Sequence, residues 1–566
     1  MNPTSPPKER IHGLDALRGI LMILGIVLHV EIAYFPPEWG GGWAVQDPRA
    51  HTYFAGFSMT GIHFFRMPAF FFISGFFGAL LWQKRGVKGL IANRFKRIAI
   101  PLVVFLLVLW PLVLFSDGYA RTLASMRPSA FQGGLQEAAG GGFLPHDTMH
   151  LWFLWYLLIV TGLTILFVIV WNRLGLGVEA VDRATRSILE SPTKTLLILG
   201  GLVFFWNLIS SWAQVATSTA WEPNPEKLAF YWGWYGLGWL MFRSDTDLLS
   251  MQKGAWTLFF IGIACTIANP IYQETHFEIA AASCAVGMVA FTRSFMGLFM
   301  RYANHGSKVM RYISDSAYWV YLLHLPLSLV MPALLLKWDI SVWIKMPTAI
   351  VLVSIGCWAT YDAFVRNSFV GRLLNGRTYP PAAWGFSFTT SIVFIGGLLY
   401  ALVHVQMDPW LNGSKPPSEI LGQKIQYPVA PSNPDKHNPF TDCAESQGVI
   451  YCIQPTPVAS LQEACAIFSA KPIILNESKK RQRIQDIAKA LNPMPYGISV
   501  NDRKQEGEWV WSDGTPLDIQ SWPWNPGEPN NWGGEEHCAT MNWGPGWNDI
   551  GCDFSTGFIC ERSPAP

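Results

Sequence analysis

Eleven apolar segments between residues 13 and 405 are long enough, or nearly so, to cross a lipid bilayer. A spanning helix needs roughly 20 apolar residues, because the hydrocarbon core is about 30 Å thick. Only 14% of the residues are charged, whereas soluble domains carry about 25%. The segments lie near 13–35, 59–82, 98–116, 151–171, 195–214, 227–243, 254–271, 276–293, 314–337, 344–365 and 384–405. The sequence therefore predicts a multi-pass α-helical membrane domain over residues 1–405, with about eleven transmembrane helices and the lipid bilayer as a partner.

Basic residues cluster in every second loop, and this pattern predicts the orientation of the helices. A run of six Lys and Arg residues at 84–97 follows the second segment, and others follow the fourth, sixth, eighth and tenth. By the positive-inside rule, these loops and the N-terminus are cytoplasmic. Eleven crossings then leave the C-terminus outside. The net charge of +2 gives no sign of nucleic-acid binding.

The C-terminal part of the chain contains six of the nine cysteines, in a region rich in Trp and Gly. Disulfides persist only in oxidising compartments, so the cysteines independently indicate an extracytoplasmic C-terminus, which is the periplasmic side of a bacterial inner membrane. Residues 406–442 are Pro-rich and polar and predict an extended linker, followed by a small domain at 443–562. The cysteines of that domain are Cys443, Cys452, Cys465, Cys538, Cys552 and Cys560.

Ionisable side chains within the apolar segments are the first candidates for a functional site, because charge at bilayer depth is costly. In the first segment Arg18 and His29 are eleven residues apart, so they share a helix face and lie roughly 16 Å apart along the axis. His63 and Arg66 lie near the outer end of the second segment, and His324 lies about midway along the ninth. Two interpretations are open. The groups pair and hold helices in register, or they form a site in which an imidazole acts as a general base.

Several stretches of the chain resemble one known family, in the same order. LDALRGILMILGIVLH, FRMPAFFFISGFF, NRFKRIAIP, HLWFLWYLL (which begins at His150) and AYWVYLLHLPL resemble segments of the acyltransferase-3 family of integral membrane O-acyltransferases. The sequence of residues 63–75 is most similar to that of the branch that adds succinyl groups to periplasmic glucans. The resemblance implies that acyl-CoA on the cytoplasmic side donates an acyl group to an extracytoplasmic sugar hydroxyl.

The resemblance also implies roles for the ionisable groups. His29 would remove the hydroxyl proton or carry the acyl group, and both possibilities stay open. Arg66 would polarise the acyl carbonyl. Arginines at the inner edge would neutralise the phosphates of CoA, although snorkelling to the membrane surface is the alternative for a helix-end residue such as Arg97. The catalytic candidates are His29, Arg18, Arg66, His63 and His324. The candidates for binding acyl-CoA are Arg18, Arg94 and Arg97.

Oxygen-bearing side chains are concentrated near the end of the outer domain. They are hard ligands that suit Ca²⁺ better than Zn²⁺, although Asn, Asp and Gly also favour turns. The metal-binding candidates are Glu528, Asn530, Glu536, Asn548 and Asp549.

The motifs GEPN, EHC, GWND and FICE occur in order and resemble a C-type lectin domain, a small disulfide-stapled α+β fold. The resemblance implies that the five candidates bind Ca²⁺, that Pro529 is cis, and that vicinal sugar hydroxyls complete the coordination. The order Glu-Pro-Asn within the GEPN motif (the EPN order) implies sugars of the glucose, mannose or N-acetylglucosamine type. For an auxiliary calcium site, Asp502 and Glu506 match the family's spacing, but Asn531 and His537 stand where acidic groups are usual. The implied disulfides are Cys465–Cys560, Cys538–Cys552 and Cys443–Cys452.

Together the two resemblances predict a membrane-bound O-acyltransferase that moves an acetyl or succinyl group to an extracytoplasmic glycan held by the lectin domain. One alternative is a carbohydrate-binding adhesin on an inactive membrane anchor, in which His29 would not matter. Another is a transporter of acyl groups or glycans. An anchor needs only one helix, which argues against the first alternative. The lack of an evident internal repeat argues against the second.

Overall fold

The computed structural model describes a helical part of the chain up to residue 404 and a sheet-containing part from residue 443. The proposed linker at 406–442 lies outside the described residues. Those residues are 11–36, 43–47, 49–124, 130–142, 144–175, 177–214, 217–273, 275–338, 340–380, 388–404, 443–446, 449–466, 470–475, 477–491, 495–519, 523–525, 528–531, 534, 536–543 and 546–561.

The helical part confirms a membrane domain built from many long apolar helices. Eight helical stretches of the described chain are long and apolar enough to cross a membrane. Each of the eleven predicted segments coincides with a helix, including Pro225–Arg243 and Phe388–His404, which fall outside those eight. The helices are α1 His12–Glu31, α2 Tyr53–Arg94, α3 Ile100–Ala124, α4 Ala130–Gly140, α5 Trp152–Arg173, α6 Glu179–Leu189, α7 Pro192–Lys194, α8 Gly200–Ile209, α9 Pro225–Arg243, α10 Ala255–Tyr272, α11 Phe277–Tyr302, α12 Lys308–Leu334, α13 Val342–Thr360, α14 Phe369–Asn375 and α15 Phe388–His404.

The second and third predicted segments are not separated by a loop. Both lie within the stretch Tyr53–Ala124, in which two helices meet at a kink at Gly86 and a π-helical turn at Phe95–Ala99 leads into α3. The helical path of α2 is interrupted at Gly86, whose φ of 65° lies in the left-handed region that glycine adopts without strain. The basic run at 84–97 is therefore mostly helical. The predicted end of the second segment at residue 82 lies close to the break at Gly86, so hydropathy located the end of the apolar helix correctly.

Close helix packing brings the first, second and twelfth helices together. α1 packs against α12, α2 and α11, and α2 also packs against α9. Glycines make the α2–α9 contact possible, because a Cβ on Gly75 would lie 1.9 Å from the carbonyl oxygen of Tyr235, and one on Gly238 would lie 1.8 Å from that of Phe72. Small residues at helix interfaces serve this purpose in membranes, where lipid is as apolar as the side chains.

The C-terminal part is a mixed α+β domain, as predicted. Its strands follow the order β1-β2-β8-β4-β6-β7, with β3 paired to β8 and β5 to β4. All these pairs are antiparallel except β4–β8. Trp511 and Trp547 are fully buried in its core. The elements are β1 Cys443–Ser446, β2 Val449–Pro457, α16 Leu461–Ala466, β3 Lys471–Pro472, α17 Ser478–Leu491, β4 Tyr496–Asn501, β5 Val510–Trp511, β6 Cys538–Trp543, β7 Gly546–Ile550 and β8 Ser555–Glu561.

Disulfides staple this domain. The predicted pairs Cys465–Cys560 and Cys538–Cys552 are both formed. Cys452 is also disulfide-bonded, and strand pairing places it opposite Cys443, whose side chain lies outside the described residues.

Candidate functional site

Three histidines from distant parts of the sequence meet inside the membrane domain. The ring of His29, near the end of α1, lies 5.2 Å from that of His324 on α12, measured between centroids. The ring of His324 lies 5.3 Å from that of His150, in the turn that precedes α5. The structure therefore brings together two of the predicted catalytic residues. It adds His150, which is not among the catalytic candidates from the sequence.

Hydrogen bonds define which nitrogens of this histidine cluster (His29, His150 and His324) are basic. His324 Nδ1 lies 2.8 Å from the carbonyl oxygen of Tyr321, and His150 Nε2 lies 3.0 Å from that of Leu322. Carbonyl oxygens only accept, so these two nitrogens carry the protons and donate. The opposite nitrogens, His324 Nε2 and His150 Nδ1, are buried and make no hydrogen bond within the described chain, and the same holds for His29 Nδ1. The cluster thus offers uncommitted imidazole nitrogens in a shielded space.

Arg66 supplies a positive charge beside the cluster. Its Nε donates to the carbonyl oxygen of Leu21 at 3.0 Å, which ties α2 to α1. Its guanidinium lies against Gly25, where a Cβ would come within 2.2 Å of Nη2. Arg66 is close enough to interact electrostatically with His29 and with all of the other histidines that face it, namely His63, His150 and His324. His63 therefore belongs to the surroundings of Arg66, as the sequence predicted.

Arg18 does not join the histidine cluster. Its Nη2 lies 3.4 Å from Ser314 Oγ and 3.6 Å from a carboxylate oxygen of Asp15, and 42% of its side chain is exposed. Arg18 and His29 are eleven positions apart, which separates them by roughly 16 Å along α1. Arg18 is therefore available to a ligand at the other end of the helix.

The other two arginines proposed to bind CoA have different environments. Arg94 Nη2 donates to the carbonyl oxygen of Ser74 at 3.3 Å. Arg97 Nη1 donates to the carbonyl oxygens of Arg372 and Leu373, each at 3.2 Å. These carbonyls belong to the last turn of α14, so Arg97 satisfies a helix C-terminus. Its Nη1 is therefore already engaged by backbone carbonyls.

Two aromatic residues next to the cluster were not among the candidates from the sequence. The indole of Trp43, in the segment between α1 and α2, stacks on the His29 ring at 5.5 Å with an interplanar angle of 9°. The hydroxyl of Tyr321 donates to the backbone carbonyl of His150 at 2.7 Å. Tyr321 lies three residues before His324, so helical spacing was a usable signal for it. Trp43 lies outside any periodic element, and nothing in the sequence pointed to it.

In the C-terminal domain, the oxygen-bearing candidates gather around Asp549, which is fully buried on β7. Its carboxylate accepts from the backbone N–H groups of Asn530 and Asn531 at 3.1 and 2.7 Å. Asn530 Nδ2 donates to Glu528 Oε1 at 2.8 Å, and the Glu528–Pro529 peptide is cis, as the resemblance implied. The loop is therefore shaped by its own candidate ligands.

The chemistry of this set fits a calcium ion. Burial, together with the neighbouring carboxylates of Asp549 and Glu536, raises the pKa of Glu528 to about 8. Crowded carboxylates of this kind are stabilised by a cation, and every donor side chain offers an oxygen. Glu528, Asn530, Glu536, Asn548 and Asp549 are the residues that could hold Ca²⁺.

The positions of the auxiliary calcium site hold a mixed set of donors. Ligand atoms of Asp502, Glu506 and His537 all lie within 4.8 Å of one another. His537 Nδ1 lies 3.1 Å from Asp502 Oδ1 and 3.4 Å from Glu506 Oε2. The imidazole therefore occupies the space between the two carboxylates, where the resemblance would place an acidic group.

Comparison with known proteins identifies both parts of the chain. A family model described as an acyltransferase domain, of the acyltransferase-3 type, matches residues 11–362. The chain belongs to the acyltransferase-3 family. It is an acyltransferase, and residues 454–562 match a second model, described as a lectin C-type domain. The histidine cluster lies within the first match and the candidate calcium ligands lie within the second, so both resemblances are confirmed.

Individual relatives match one part or the other. Glucans biosynthesis protein C of Escherichia coli is 23% identical over 392 residues, which cover 67% of this chain and 97% of that protein. Human C-type lectin domain family 17, member A, is 49% identical over 71 residues, which cover 12% of this chain and 18% of that protein. Mouse CD209 antigen-like protein D is 38% identical over 180 residues, or 30% of this chain and 71% of that protein. This chain thus spans less than a fifth of the length of the human lectin.

Among solved structures, the mouse scavenger receptor C-type lectin carbohydrate-recognition domain is 28% identical. The match covers 21% of this chain and 96% of that structure, with a TM-score of 0.19.

Proposed function

We propose that this protein transfers an acetyl or succinyl group from cytoplasmic acyl-CoA to a hydroxyl of an extracytoplasmic glycan, while its lectin domain holds the carbohydrate through Ca²⁺. The observation that carries the proposal is the histidine cluster beside Arg66, in a chain that also has a lectin domain with an all-oxygen ligand set. In the net reaction the hydroxyl oxygen bonds to the acyl carbon and the thioester C–S bond breaks. The hydroxyl proton ends on the thiol of CoA.

His29 is the proposed catalytic residue at the acceptor. It takes the hydroxyl proton directly or carries the acyl group on a ring nitrogen, and the net reaction is the same. His324 and His150 present further basic nitrogens next to it. Arg66 stabilises the oxyanion that forms when the carbonyl is attacked, because a buried positive charge acts strongly where water is excluded.

The two ends of α1 suit the two substrates. Exposed Arg18 would pair with the phosphates of CoA, with Arg94 beside the same path, and the histidine cluster lies roughly three helical turns further on. Cys265, Cys284 and Cys357 in the membrane helices are free, whereas the outer domain is disulfide-bonded. The disulfides support a periplasmic lectin domain, and the basic loops support a cytoplasmic N-terminus in an inner membrane.

A glycan of the glucose or mannose type is the acceptor that we propose. The EPN order supports such sugars, and one relative of the membrane domain is named for glucan biosynthesis. A lectin on a flexible tether would raise the local concentration of this acceptor without adding catalytic groups.

Mass spectrometry of cell-envelope glycans tests the proposal. Cells that make the protein should carry acyl esters on a glycan that cells without it leave unmodified, and the added mass identifies the acyl group. Feeding isotope-labelled acetate or succinate identifies the donor. Identical glycans in both strains would contradict the enzyme and favour the adhesin.

Gly25→Ala should lower acyl transfer about 100-fold, because misplacing a catalytic group by about 1 Å can have that effect. The new Cβ would lie 2.2 Å from Arg66 Nη2, so the guanidinium must move. The control is Gly162→Ala in α5, where a Cβ meets nothing within 4 Å and alanine favours the helix. Equal acyl transfer by both variants, measured by the same mass spectrometry at equal protein levels, would contradict the role of Arg66.

Calcium binding should weaken about tenfold for each pH unit below 8, because Ca²⁺ must displace the proton of Glu528. The pKa of this carboxyl is raised to about 8, so it is protonated in the metal-free protein at lower pH. Above pH 8 the carboxylate is ionised and the affinity should level off. Isothermal titration of the detergent-solubilised full chain measures the profile, and an affinity that is constant from pH 6 to 8 would contradict it.

A further inference from the structure

The segment that carries Trp43 is tied to the turn directly after α1 by two backbone hydrogen bonds. The N–H of Asp47 donates to the carbonyl oxygen of Ala33 at 2.8 Å, and the N–H of Thr52 donates to that of Tyr34 at 3.0 Å. The carboxylate of Asp47 closes the turn itself, since its Oδ1 accepts from the N–H groups of Arg49 and Ala50, each at 3.1 Å.

The same carboxylate forms a buried ion pair with a distant helix. Asp47 Oδ2 lies 2.5 Å from Nζ of Lys345 on α13, and the two side chains are 2% and 0% exposed. A second link joins the segment to the end of α12, because Arg49 Nη2 donates to the carbonyl oxygen of Leu336.

Helix stability does not explain Lys345. It lies in the first turn of α13, where a positive charge is unfavourable because the N-terminus of a helix is itself electropositive. Burying the pair also costs desolvation that its attraction scarcely repays. An ion pair with these costs is therefore a candidate for a role in function.

Trp43 connects this ion pair to the reaction centre. Its indole covers one face of the His29 ring, and the imidazole Nδ1 makes no hydrogen bond with any described residue. A catalytic histidine is usually oriented by a hydrogen bond to one of its nitrogens. Within the described chain, ring stacking supplies that orientation for His29 and leaves Nδ1 uncommitted.

We propose that the Asp47–Lys345 ion pair fixes the 43–52 segment so that Trp43 orients the His29 imidazole. Trp43, Asp47 and Lys345 are thus positioning residues, and the inference depends on the proposed role of His29.

Conservative and disruptive variants test this assignment in the full chain, with acyl transfer measured as the initial rate of ester incorporation into envelope glycans per amount of folded protein. Trp43→Leu and Lys345→Met should each lower the rate about 10- to 100-fold, as for a misplaced catalytic group. Trp43→Phe should keep most of the rate, because a second aromatic ring can stack on His29. Asp47→Asn combined with Lys345→Met should recover part of the loss of Lys345→Met, because no unpaired charge remains buried.

The control is Arg243→Met. It breaks the Asp182–Arg243 ion pair of 2.8 Å, which joins α6 to α9, and neither helix carries a histidine of the cluster. Its rate per folded protein should be unchanged. Folding is followed by the size-exclusion profile and the melting temperature. If Lys345→Met does not fold, the rates of the Trp43 variants and of the double variant test the positioning role.

Failure of this inference is distinguishable from failure of the proposed function. If His29→Ala is inactive but Trp43→Leu and the ion-pair variants retain the wild-type rate, the positioning role is wrong and the proposed function stands. If Trp43→Phe is as inactive as Trp43→Leu, ring stacking is not what orients the His29 imidazole. If His29→Ala is active, both the catalytic role of His29 and the inference built on it are wrong.

Discussion

Replacing His29 by alanine should lower acyl transfer about 10²- to 10⁴-fold, which is the usual contribution of a general base. A larger loss is expected if His29 carries the acyl group, because that route then disappears. The residual activity would come from Arg66 and from binding alone. The measurement is the initial rate of acyl-ester formation on envelope glycans, compared at equal amounts of membrane-inserted protein.

The matched control for this prediction is His305→Ala. His305 is an exposed histidine in the turn between α11 and α12, and its loss should leave the rate unchanged. The cluster also predicts a graded series. His324→Ala should be more damaging than His63→Ala, because the His324 ring touches His29 whereas His63 lies beside Arg66. A His29→Ala variant with more than about a tenth of the wild-type rate would be inconsistent with a general base.

Removing calcium, or replacing Glu528 by glutamine, should abolish carbohydrate binding by the outer domain. Glu528 and Asn530 hydrogen-bond to each other at 2.8 Å, and both are proposed to bind the ion and the sugar hydroxyls together. Glutamine replaces one carboxylate oxygen with an N–H group that cannot coordinate a cation. Losing charge-assisted contacts to ion and sugar costs about 3 kcal/mol, or roughly a hundredfold in affinity.

A glycan array probed with the detergent-solubilised full chain, with and without EDTA, measures this effect. Glucose- and mannose-terminated glycans should bind only with calcium present. Glu508→Gln is the control, since the exposed Glu508 side chain accepts a hydrogen bond from the Gln505 side chain and is not a calcium candidate. Binding that survives EDTA would show that the receptor is not the proposed ion. The disulfides should keep the domain folded in either case.

Acyl transfer by the calcium-site variant separates the two domains. Because the chemistry is proposed to occur at His29, Glu528→Gln should reduce transfer only at low acceptor concentration. A tether contributes local concentration and no catalytic group. The same variant should therefore leave the maximal rate intact, whereas His29→Ala should leave sugar binding intact.

The membrane fold could be predicted because its main constraint is local. A run of apolar residues long enough to cross a bilayer must satisfy its backbone hydrogen bonds internally, so it forms a helix whatever its neighbours are. Helix ends were harder to predict. Beyond the kink at Gly86 the chain is helical again up to Arg94, and hydropathy does not detect this part because it is rich in basic residues.

The candidate site was only partly predictable. Helical spacing along α1 showed that Arg18 and His29 share a face, but their neighbours depend on how helices pack. His324 reaches His29 because α1 packs against α12, almost 300 residues later in the sequence. Trp43 and the Asp47–Lys345 ion pair had no periodicity or motif to reveal them.

The sequence by itself determined the kind of molecule this is: a multi-pass acyltransferase-3 membrane domain followed by a disulfide-bonded C-type lectin domain, with the residue types needed for acyl transfer and for calcium. These properties depend on segment length, residue order and short motifs, all of which are one-dimensional. Only the tertiary structure decided which ionisable groups share a space. It joined His29 to His324 and His150, separated Arg18 from them, engaged Arg97 Nη1 with a helix end, and stacked Trp43 on His29. The physical reason is that distances between helices are determined by packing across the whole domain, and no single segment contains that information.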